Sequence, residues 1–455
     1  MESAISVVHG LAESTAFPVL KAFISIPALS PLFDPQWQSS GLIEKVVDLM
    51  RNWALSLEIE GLRCEVVRGE EHPPLLYMDV EGSLSTVLLY GHLDKQPAGP
   101  GWSQDPYTPV LAHNYLYGRG SADDGYALTS MLLAIKACQT LGKPHHHCIL
   151  ILENEEESGS PHLISTLQSL HLDTPALVLC LDTGAGDYEH LWSAESLRGL
   201  LRFDLTAKVM EREVHSGTAG GVVASPWAVL VELLDRLEDA ETGNIRLNAL
   251  YAGNVPEQYA RTVDSLVAVA GRIEGFESVA KLDSDLVQLS LNYLNRPFLT
   301  VTGLDGAPPL SSASSVMLPS LTIVCSIRLP PTVSGSTAEQ AIRSALLTNP
   351  PHNAEITISN LHVDEGWAMT LLPAGLVQTC EEAAGLYFGR EPRSAGRGGS
   401  IPFVKALQQL FPGTSVLLWG AAGPDSSPHG PDERLNLPYY ERVTCCLAYL
   451  LQAQW

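Results

Sequence analysis

Basic residues are scarce in this sequence. Lysine and arginine number 27 among 455 residues, against 51 aspartates and glutamates, so the formal net charge is −24 at pH 7. A surface of that sign repels phosphate groups, which argues against nucleic acids and anionic membranes as partners. With 45% hydrophobic and 17% charged residues, the composition is that of a globular protein.

Cysteine pairs of the CxxC type are absent. The eight cysteines are spread along the chain, and most lie in apolar stretches. This distribution is typical of buried, reduced thiols in a cytosolic protein. The amino-terminal residues lack the basic segment of a signal peptide, and no apolar run approaches the length of about 18 residues that a membrane span needs. We therefore expect a cytoplasmic protein without a membrane partner.

The length and the residue pattern predict two domains. A chain of 455 residues exceeds the size of one ordinary core. Short apolar runs alternate with helical periodicity up to residue 198 and again after residue 364, which is typical of a doubly wound α/β sheet. We predict a discontinuous α/β catalytic domain formed by residues 1–198 and 365–455. Residues 199–364, with alternating strands and helices, would form an inserted α+β domain.

The stretch from Ser85 to Asp94 predicts the position of a functional site. Its Val/Leu run fits a strand that is covered on both faces, and the run stops at Gly91. His92 and Asp94 follow, where open α/β sheets place their ligand sites. His92 could bind a metal while Asp94 fixes the tautomer of its ring. A polar turn after a buried strand would explain the same residues, so the rest of the chain has to decide.

Further acidic residues and a histidine follow predicted strands or open a predicted helix. These are Asp123, Glu156, Glu157, Asp182 and His429. We expect them to lie with His92 at one edge of one sheet. If one glutamate is reserved and Asp123 bridges, each of two metals has three protein ligands and an open position, which suits catalysis. Imidazole and carboxylate ligands fit Zn²⁺, Mn²⁺ or Co²⁺.

Two other motifs predict no function. The turn with Gly118 and Gly120 lacks the Lys-Ser/Thr of a phosphate-binding loop, which excludes a nucleotide site of that kind. His145-His146-His147 follows a predicted helix end, and adjacent histidines on a loop are more often exposed to solvent than bound to a metal.

Three local structures are predicted elsewhere in the chain. Thr337 and Gln340 are spaced as a capping box, which predicts a helix over residues 337–347. The glycine-rich stretch from Ser394 to Ser400 is predicted as a loop. Another helix is predicted over residues 257–274.

Taken together, the motifs resemble those of a known family. Four of them are similar to motifs of the M20 family of di-metal peptidases: Gly91-His92-Leu93-Asp94, Gly118-Arg119-Gly120-Ser121-Ala122-Asp123-Asp124, Glu156-Glu157-Ser158-Gly159-Ser160 and His429. Five more resemble the carnosinase-like dipeptidases, including the cytosolic non-specific ones: Trp102-Ser103-Gln104-Asp105-Pro106-Tyr107, Leu197-Arg198-Gly199, His215-Ser216-Gly217, Ser326-Ile327-Arg328-Leu329 and Gly398-Gly399-Ser400-Ile401-Pro402. They occur in the same order over nearly the whole chain.

The resemblance implies a ligand set for two divalent ions per chain. His92, Asp123 and Asp182 would hold one ion, and Asp123, Glu157 and His429 the other. Zn²⁺ is preferred, with Mn²⁺ or Co²⁺ as alternatives.

The resemblance also implies the catalytic and substrate-binding residues. Asp94 would orient His92, and Glu156 would be the general base that deprotonates the water between the metals. The inserted domain would be a lid and dimerisation domain in a homodimer, with His215 reaching the scissile carbonyl in the neighbouring subunit. Arg328 and Ser400 would hold the carboxylate of the substrate.

The expected activity is hydrolysis of dipeptides or very short peptides with a free C-terminus. An N-acyl amino acid deacylase or a carboxypeptidase would use the same chemistry and is the alternative. A non-catalytic binding protein on the same fold would have lost a ligand or the base, and none is lost here. The chain departs from its close relatives at Gly125-Tyr126, where they usually carry Lys-Gly, and this leaves the exact substrate open.

Overall fold

The computed structural model describes residues 3–69, 72–251, 278–399 and 401–455. Its α-helices are α1 (Ala4–Leu11), α2 (Phe17–Ile24), α3 (Trp37–Ser40), α4 (Leu42–Ser56), α5 (Tyr126–Thr140), α6 (Leu163–Ser169), α7 (Ser216–Ala219), α8 (Pro226–Leu237), α9 (Leu286–Asn295), α10 (Gly335–Leu347), α11 (Ala374–Tyr387), α12 (Pro402–Leu410) and α13 (Leu437–Gln452). The helix predicted over 257–274 lies outside the described residues.

The strands make four sheets. They are β1 (Leu62–Val67), β2 (Leu75–Val80), β3 (Leu84–His92), β4 (Val110–Ala112), β5 (Tyr115–Tyr117), β6 (His146–Glu153), β7 (Leu177–Cys180), β8 (Trp192–Leu197), β9 (Gly199–Lys208), β10 (Val214–His215), β11 (Phe298–Asp305), β12 (Val316–Met317), β13 (Ser320–Leu329), β14 (Glu355–Asp364), β15 (Trp367–Ala368), β16 (Arg393–Arg397), β17 (Ser415–Leu418) and β18 (Arg434–Asn436). Two small sheets, β10-β12 and β18-β5-β4, accompany the two larger ones.

The largest sheet has nine strands in the order β1-β2-β6-β3-β7-β17-β8-β15, with β16 also paired to β8. Its centre, β6-β3-β7-β17, is parallel. The register places His92 opposite Glu153 and Tyr90 opposite Cys180, so these strands end at the same edge. The predicted α/β class is confirmed.

Both faces of this sheet are covered, as the Val/Leu run of β3 predicts. Val87 and Leu89 point into a core with the residues of α1, α2, α4, α5, α11 and α13. Leu88 and Tyr90 point the other way, into a second core with α6 and α12. Each fully buried aliphatic side chain stabilises the fold by about 1.5–3 kcal/mol, so the central strands are firmly placed.

A second sheet, β11-β13-β9-β14, is antiparallel throughout. Along β9, buried Leu201, Phe203 and Leu205 alternate with more exposed residues, as the sequence predicts for a strand with one wet face. These side chains pack with α8 and α10 in a cluster whose buried members all come from residues 201–354.

Two local predictions are wrong, and the helix predicted over 337–347 is confirmed with a different start. Part of the predicted 394–400 loop is strand β16, which pairs in parallel with β8. Helix α10 begins at Gly335, because Ser334 Oγ accepts a hydrogen bond of 3.3 Å from the Thr337 amide. His145 and His146 are buried at the start of β6, where His146 stacks on Trp455 instead of facing solvent.

Residues Ala4–Ile24 form a helical segment of 21 residues that is long and apolar enough to cross a membrane by length and composition. Half of its most apolar window is buried inside the fold. Val8, Leu20 and Phe23 are completely buried in the core beside the largest sheet. The apolar side chains of this segment therefore contribute to the core of the fold. No other described helix meets the same criterion of length and hydropathy.

Candidate metal centre and active site

Asp123 lies between two histidines, one from each end of the chain. His92 ends β3 and is fully buried, and its Nε2 lies 3.1 Å from Asp123 Oδ1 and 4.0 Å from Asp182 Oδ2. His429 Nε2 lies 3.0 Å from Asp123 Oδ2 and 3.1 Å from Glu157 Oε1. Each oxygen of Asp123 thus faces a different histidine, which is the arrangement that a bridging carboxylate requires.

Two groups of side chains bring all their ligand atoms within 4.8 Å of one another: His92 with Asp123 and Glu157, and His92 with Glu156 and Asp182. These groups share His92, whereas the predicted ligand set shares Asp123. The two sets differ in the role of Glu156. Its distance to His92 and Asp182 would allow it to be a metal ligand, whereas the family resemblance makes it the general base. The five predicted ligands and Glu156 are all brought together.

The carboxylates of this cluster repel one another. Burial and then neighbouring carboxylates raise the pKa values of Asp182, Glu156 and Glu157. Burial would also raise the pKa of Asp123, but its hydrogen bonds to His429 and His92 hold it well below the usual range. Oxygen and imidazole donors in such an excess of negative charge fit divalent cations.

The pKa values of the two histidines are also raised. Burial alone would lower their pKa values, but hydrogen bonds to the carboxylates outweigh it. The pKa of His429 rises to about 11, and that of His92 is well above its usual value. Both imidazole rings therefore face carboxylates with which they could share a metal ion.

Asp94 is buried beneath the cluster and makes two kinds of contact. His92 Nδ1 lies 3.2 Å from the Asp94 carbonyl oxygen and 3.3 Å from Oδ1. The same carboxylate accepts hydrogen bonds from the amides of Glu156 at 3.2 Å and Glu157 at 3.0 Å. It can therefore orient the imidazole, as predicted, and it also holds the turn Glu156–Ser158, which the sequence did not indicate.

Glu433 is a buried residue that the sequence analysis missed. Its carboxylate accepts hydrogen bonds from the amides of Gly120, Ala122 and Asp123 at 2.8–3.1 Å. It also pairs with Arg119 Nη1 at 2.7 Å. Burial raises the pKa of Glu433 to about 7, although Arg119 opposes this shift. Glu433 thus shapes the turn that presents Asp123, from a position 314 residues after Arg119.

The sequence profile of peptidase family M20/M25/M40 matches residues 88–453. The chain belongs to this family. It is 26% identical over 402 residues to the Beta-Ala-His dipeptidase of Homo sapiens, covering 84% of this chain and 77% of that protein.

Two solved structures share the M20 fold over almost the whole chain. One is the dipeptidase Dug1p from Saccharomyces cerevisiae, with a TM-score of 0.76, 24% identity, and coverage of 99% of this chain and 97% of that one. The other is the M20 family metallo-carboxypeptidase Sso-CP2 from Sulfolobus solfataricus, with a TM-score of 0.79, 19% identity, and coverage of 96% and 99%.

Gly125 and Tyr126, which stand where the sequence analysis expects Lys-Gly in close relatives, are both fixed by packing. A Cβ at position 125 would lie 2.3 Å from Phe23 Cε1, so no side chain fits there. Tyr126 is buried, and its hydroxyl donates to the Leu181 carbonyl and accepts from the Ala421 amide at 2.9 Å. Through these two hydrogen bonds, Tyr126 connects the residue before Asp182 with the residues that follow β17.

The remaining predicted residues lie apart from these contacts. His215 is exposed at the start of α7, and its Nδ1 accepts a hydrogen bond of 3.1 Å from the Gly217 amide. Arg328 is half-buried on β13, where burial lowers its pKa and Asp364 and Tyr293 oppose the shift. Ser400 lies outside the described residues. The roles of all three stay predictions.

Proposed function

We propose that this M20 peptidase is a metal-dependent dipeptidase that hydrolyses dipeptides or very short peptides with a free C-terminus. The observation that carries the proposal is the convergence of His92, Asp123, Asp182 and His429 on the Glu156-Glu157 turn. The dipeptidase activity named for the human relative supports the choice of substrate.

Each chain would hold two divalent ions. We assign His92, Asp123 and Asp182 to one ion and Asp123, Glu157 and His429 to the other, with Zn²⁺ preferred and Mn²⁺ or Co²⁺ as alternatives. Ions bound there would supply polarisation of the scissile carbonyl and a water that is nucleophilic near neutral pH.

The protein side chains would carry out the proton transfers. A Glu156 carboxylate oxygen would take the proton of the attacking water and pass it to the nitrogen of the leaving amine. Asp94 would position this base, and the hydrogen bond of 3.2 Å from the Glu156 amide to its carboxylate supports that role. The same residue holds the His92 ring from its Nδ1 side.

Residues 199–364 would form the lid and dimerisation domain, interrupting a catalytic domain of residues 1–198 and 365–455. Their separate buried core supports this division. Helix α8 exposes Trp227 (52%) and Val231 (48%), and the edge strand β11 exposes Leu304 (56%). Apolar side chains in these places suit contact with a second copy of the chain.

In a homodimer, His215 would act on the substrate in the neighbouring subunit, with Arg328 and Ser400 on the substrate carboxylate. We also propose a cytoplasmic location. All eight cysteines are unpaired and seven of them are buried, which fits a reducing compartment.

A substrate panel tests the proposed activity. The full-length protein, loaded with Zn²⁺ or Mn²⁺, is incubated with a dipeptide, the matching tripeptide, a longer peptide and an N-acetyl amino acid. We expect dipeptides to be cleaved fastest and activity to vanish in a chelator. Preferred cleavage of the N-acetyl amino acid would instead indicate a deacylase, and preferred cleavage of the longer peptide a carboxypeptidase.

Metal analysis tests the site separately from the substrate. The active protein should contain two ions per chain, and His92→Ala and His429→Ala should each lose metal and activity while remaining folded. A single ion per chain in a fully active sample would contradict the dinuclear assignment.

A further inference from the structure

Arg198 is a buried cation in a motif to which the proposed mechanism gives no role. It lies between β8 and β9, where the nine-stranded and four-stranded sheets meet, and only 3% of its surface is exposed. Its Nε donates a hydrogen bond of 3.1 Å to the Gly398 carbonyl. Its guanidinium lies over the rings of Tyr293 and Phe298, at 5.1 and 4.8 Å from the centroids.

Among the described residues no carboxylate pairs with this guanidinium, and its Nη1 has no hydrogen-bond partner there. Buried cations are normally paired, since an isolated charge is costly to remove from water. The aromatic rings hold the flat group in place but do not neutralise it. A buried cation with no carboxylate partner among the described residues is a candidate for binding an anion from outside the chain.

A second arginine lies close enough to act on the first. Strand β13 pairs with β9 so that Leu329 is opposite Gly199, which places Arg328 beside the junction that carries Arg198. Burial lowers the pKa of Arg198 to about 10, and the positive charge of Arg328 adds to this effect while Tyr293 opposes it. Two guanidiniums in one partly desolvated place attract an anion more strongly than either does alone.

The Gly398 peptide group contacts both Arg198 and Tyr293. Its carbonyl accepts from Arg198, and its amide donates a hydrogen bond of 2.9 Å to Tyr293 Oη. A Cβ at this position would lie 2.4 Å from the Tyr293 ring, so only glycine allows the contact. Arg198 is therefore held against Gly398, which belongs to the motif that the proposed function links to the substrate carboxylate.

We propose that Arg198 is a second substrate-binding arginine, which donates from Nη1 to the C-terminal carboxylate of the substrate beside Arg328. This inference rests on the proposed dipeptidase function. A carboxylate is the natural ligand of a planar guanidinium, because two parallel N–H groups match its two oxygens. A neutral amide in the same place would leave the buried cation unpaired, so the site selects substrates by their free C-terminus.

Paired substrates test the proposal. A dipeptide and its C-terminal amide are compared on the metal-loaded wild type, Arg198→Gln and Arg198→Lys, with Arg202→Gln on the exposed side of β9 as the matched control. We expect kcat/KM for the free dipeptide to fall by about tenfold or more in Arg198→Gln, mainly through KM. The rate for the amide should change much less, so the preference for the acid collapses. Arg198→Lys should keep part of it, and Arg202→Gln all of it.

Binding of a product supplies a readout that needs no turnover. L-leucine should raise the melting temperature of the wild type more than L-leucinamide does, and this difference should disappear in Arg198→Gln. Equal losses for acid and amide, or an unchanged difference between leucine and leucinamide, would overturn the proposal and leave Arg198 a packing residue. If both Arg198 variants fail to fold, equal stabilisation of the wild type by leucine and leucinamide overturns the proposal.

The outcomes also separate this inference from the proposed function. A wild type that cleaves dipeptides and their amides equally well would overturn the role of Arg198 and leave the hydrolase intact. A wild type that cleaves neither would contradict the dipeptidase assignment, while the comparison of leucine with leucinamide would still decide whether Arg198 binds a carboxylate.

Discussion

Glu156 and Glu157 are adjacent residues with different surroundings. Asp94 fixes both of their amides, so the two side chains leave the same short turn in different directions. Glu157 meets His429 at 3.1 Å and accepts a hydrogen bond of 2.7 Å from Gln96 Nε2. Glu156 instead belongs to the group with His92 and Asp182.

Substitution of each glutamate by glutamine should separate base from ligand. Glu156→Gln should keep both metals and lose about 10²–10⁴ in kcat, the usual contribution of a positioned general base. Glu157→Gln should weaken metal binding, because a neutral amide is a poorer ligand than a carboxylate. Turnover and metal content measured on the same samples decide this, and near-normal turnover of Glu156→Gln would show that the roles are misassigned.

The buried Tyr126 hydroxyl bonds to two backbone groups, the Leu181 carbonyl and the Ala421 amide. Tyr126→Phe should therefore lower the free energy of unfolding by about 1–3 kcal/mol. Tyr449→Phe is the control, since that hydroxyl bonds to Glu382 at an exposed site and should cost far less. Urea unfolding of both variants checks the difference, and equal costs would mean that the Leu181 and Ala421 contacts contribute little.

Residues of the site could be predicted where they follow a local pattern. His92, Asp182 and His429 come after apolar strands, and the rule that ligand sites lie at the carboxyl edge of a parallel sheet brings them together. Glu433 and Tyr126 could not be found in this way. Their partners are distant in sequence, and neither residue carries a motif that reveals a contact made only by the folded chain.

At the scale of elements, the start of α10 is set by one side chain. Ser334 Oγ accepts from the Thr337 amide and donates to Thr337 Oγ1 at 2.8 Å. The predicted capping box began instead at Thr337, one turn too late. Both positions have suitable residues, and the sequence pattern alone does not choose between them.

Loss of the α10 cap should be measurable. Ser334→Ala should lower the free energy of unfolding by about 0.5–2 kcal/mol, because one amide of the first turn loses its partner. Gln340→Ala, at the other position of the predicted capping box, should have a smaller effect. Denaturant unfolding of the two variants gives the comparison, and the reverse order would restore the original prediction.

A strand could be predicted when the hydrophobic pattern of its own residues shows which of its faces are buried. The run in β3 is continuously apolar because both faces are covered, and β9 alternates because one face is wet. Strand β16 was missed because Arg393-Ser394-Ala395-Gly396-Arg397 has neither pattern. It is held by its pairing with β8, and a Cβ at Gly396 would meet Ser196 Oγ at 2.6 Å, so its environment comes from other segments.

In the whole molecule, His215 lies on the exposed surface of residues 199–364. Its ring is exposed and bonds only to the adjacent Gly217 amide among the contacts of the described residues. A side chain in this position is available to a neighbouring subunit, which agrees with the lid and dimerisation role that we propose for residues 199–364.

Mixed dimers test the action of His215 across the interface. Glu156→Gln and His215→Ala should each be inactive alone, and mixing them under conditions that exchange subunits should restore part of the activity. One site of each mixed dimer then has an intact base and an intact incoming histidine. Demonstrated exchange without recovered activity would mean that His215 acts in its own chain or not at all.

The late position of Glu433 in the chain delays formation of the site during synthesis. The turn that presents Asp123 is organised by a carboxylate made 310 residues later, and β17 enters the sheet between β7 and β8 at a similarly late stage. At about 5–20 residues per second, the Asp123 turn waits roughly 15–60 s for this partner on the ribosome. Throughout that interval the nascent chain has an incomplete site and an open central sheet, and unpaired strand edges of this kind favour aggregation.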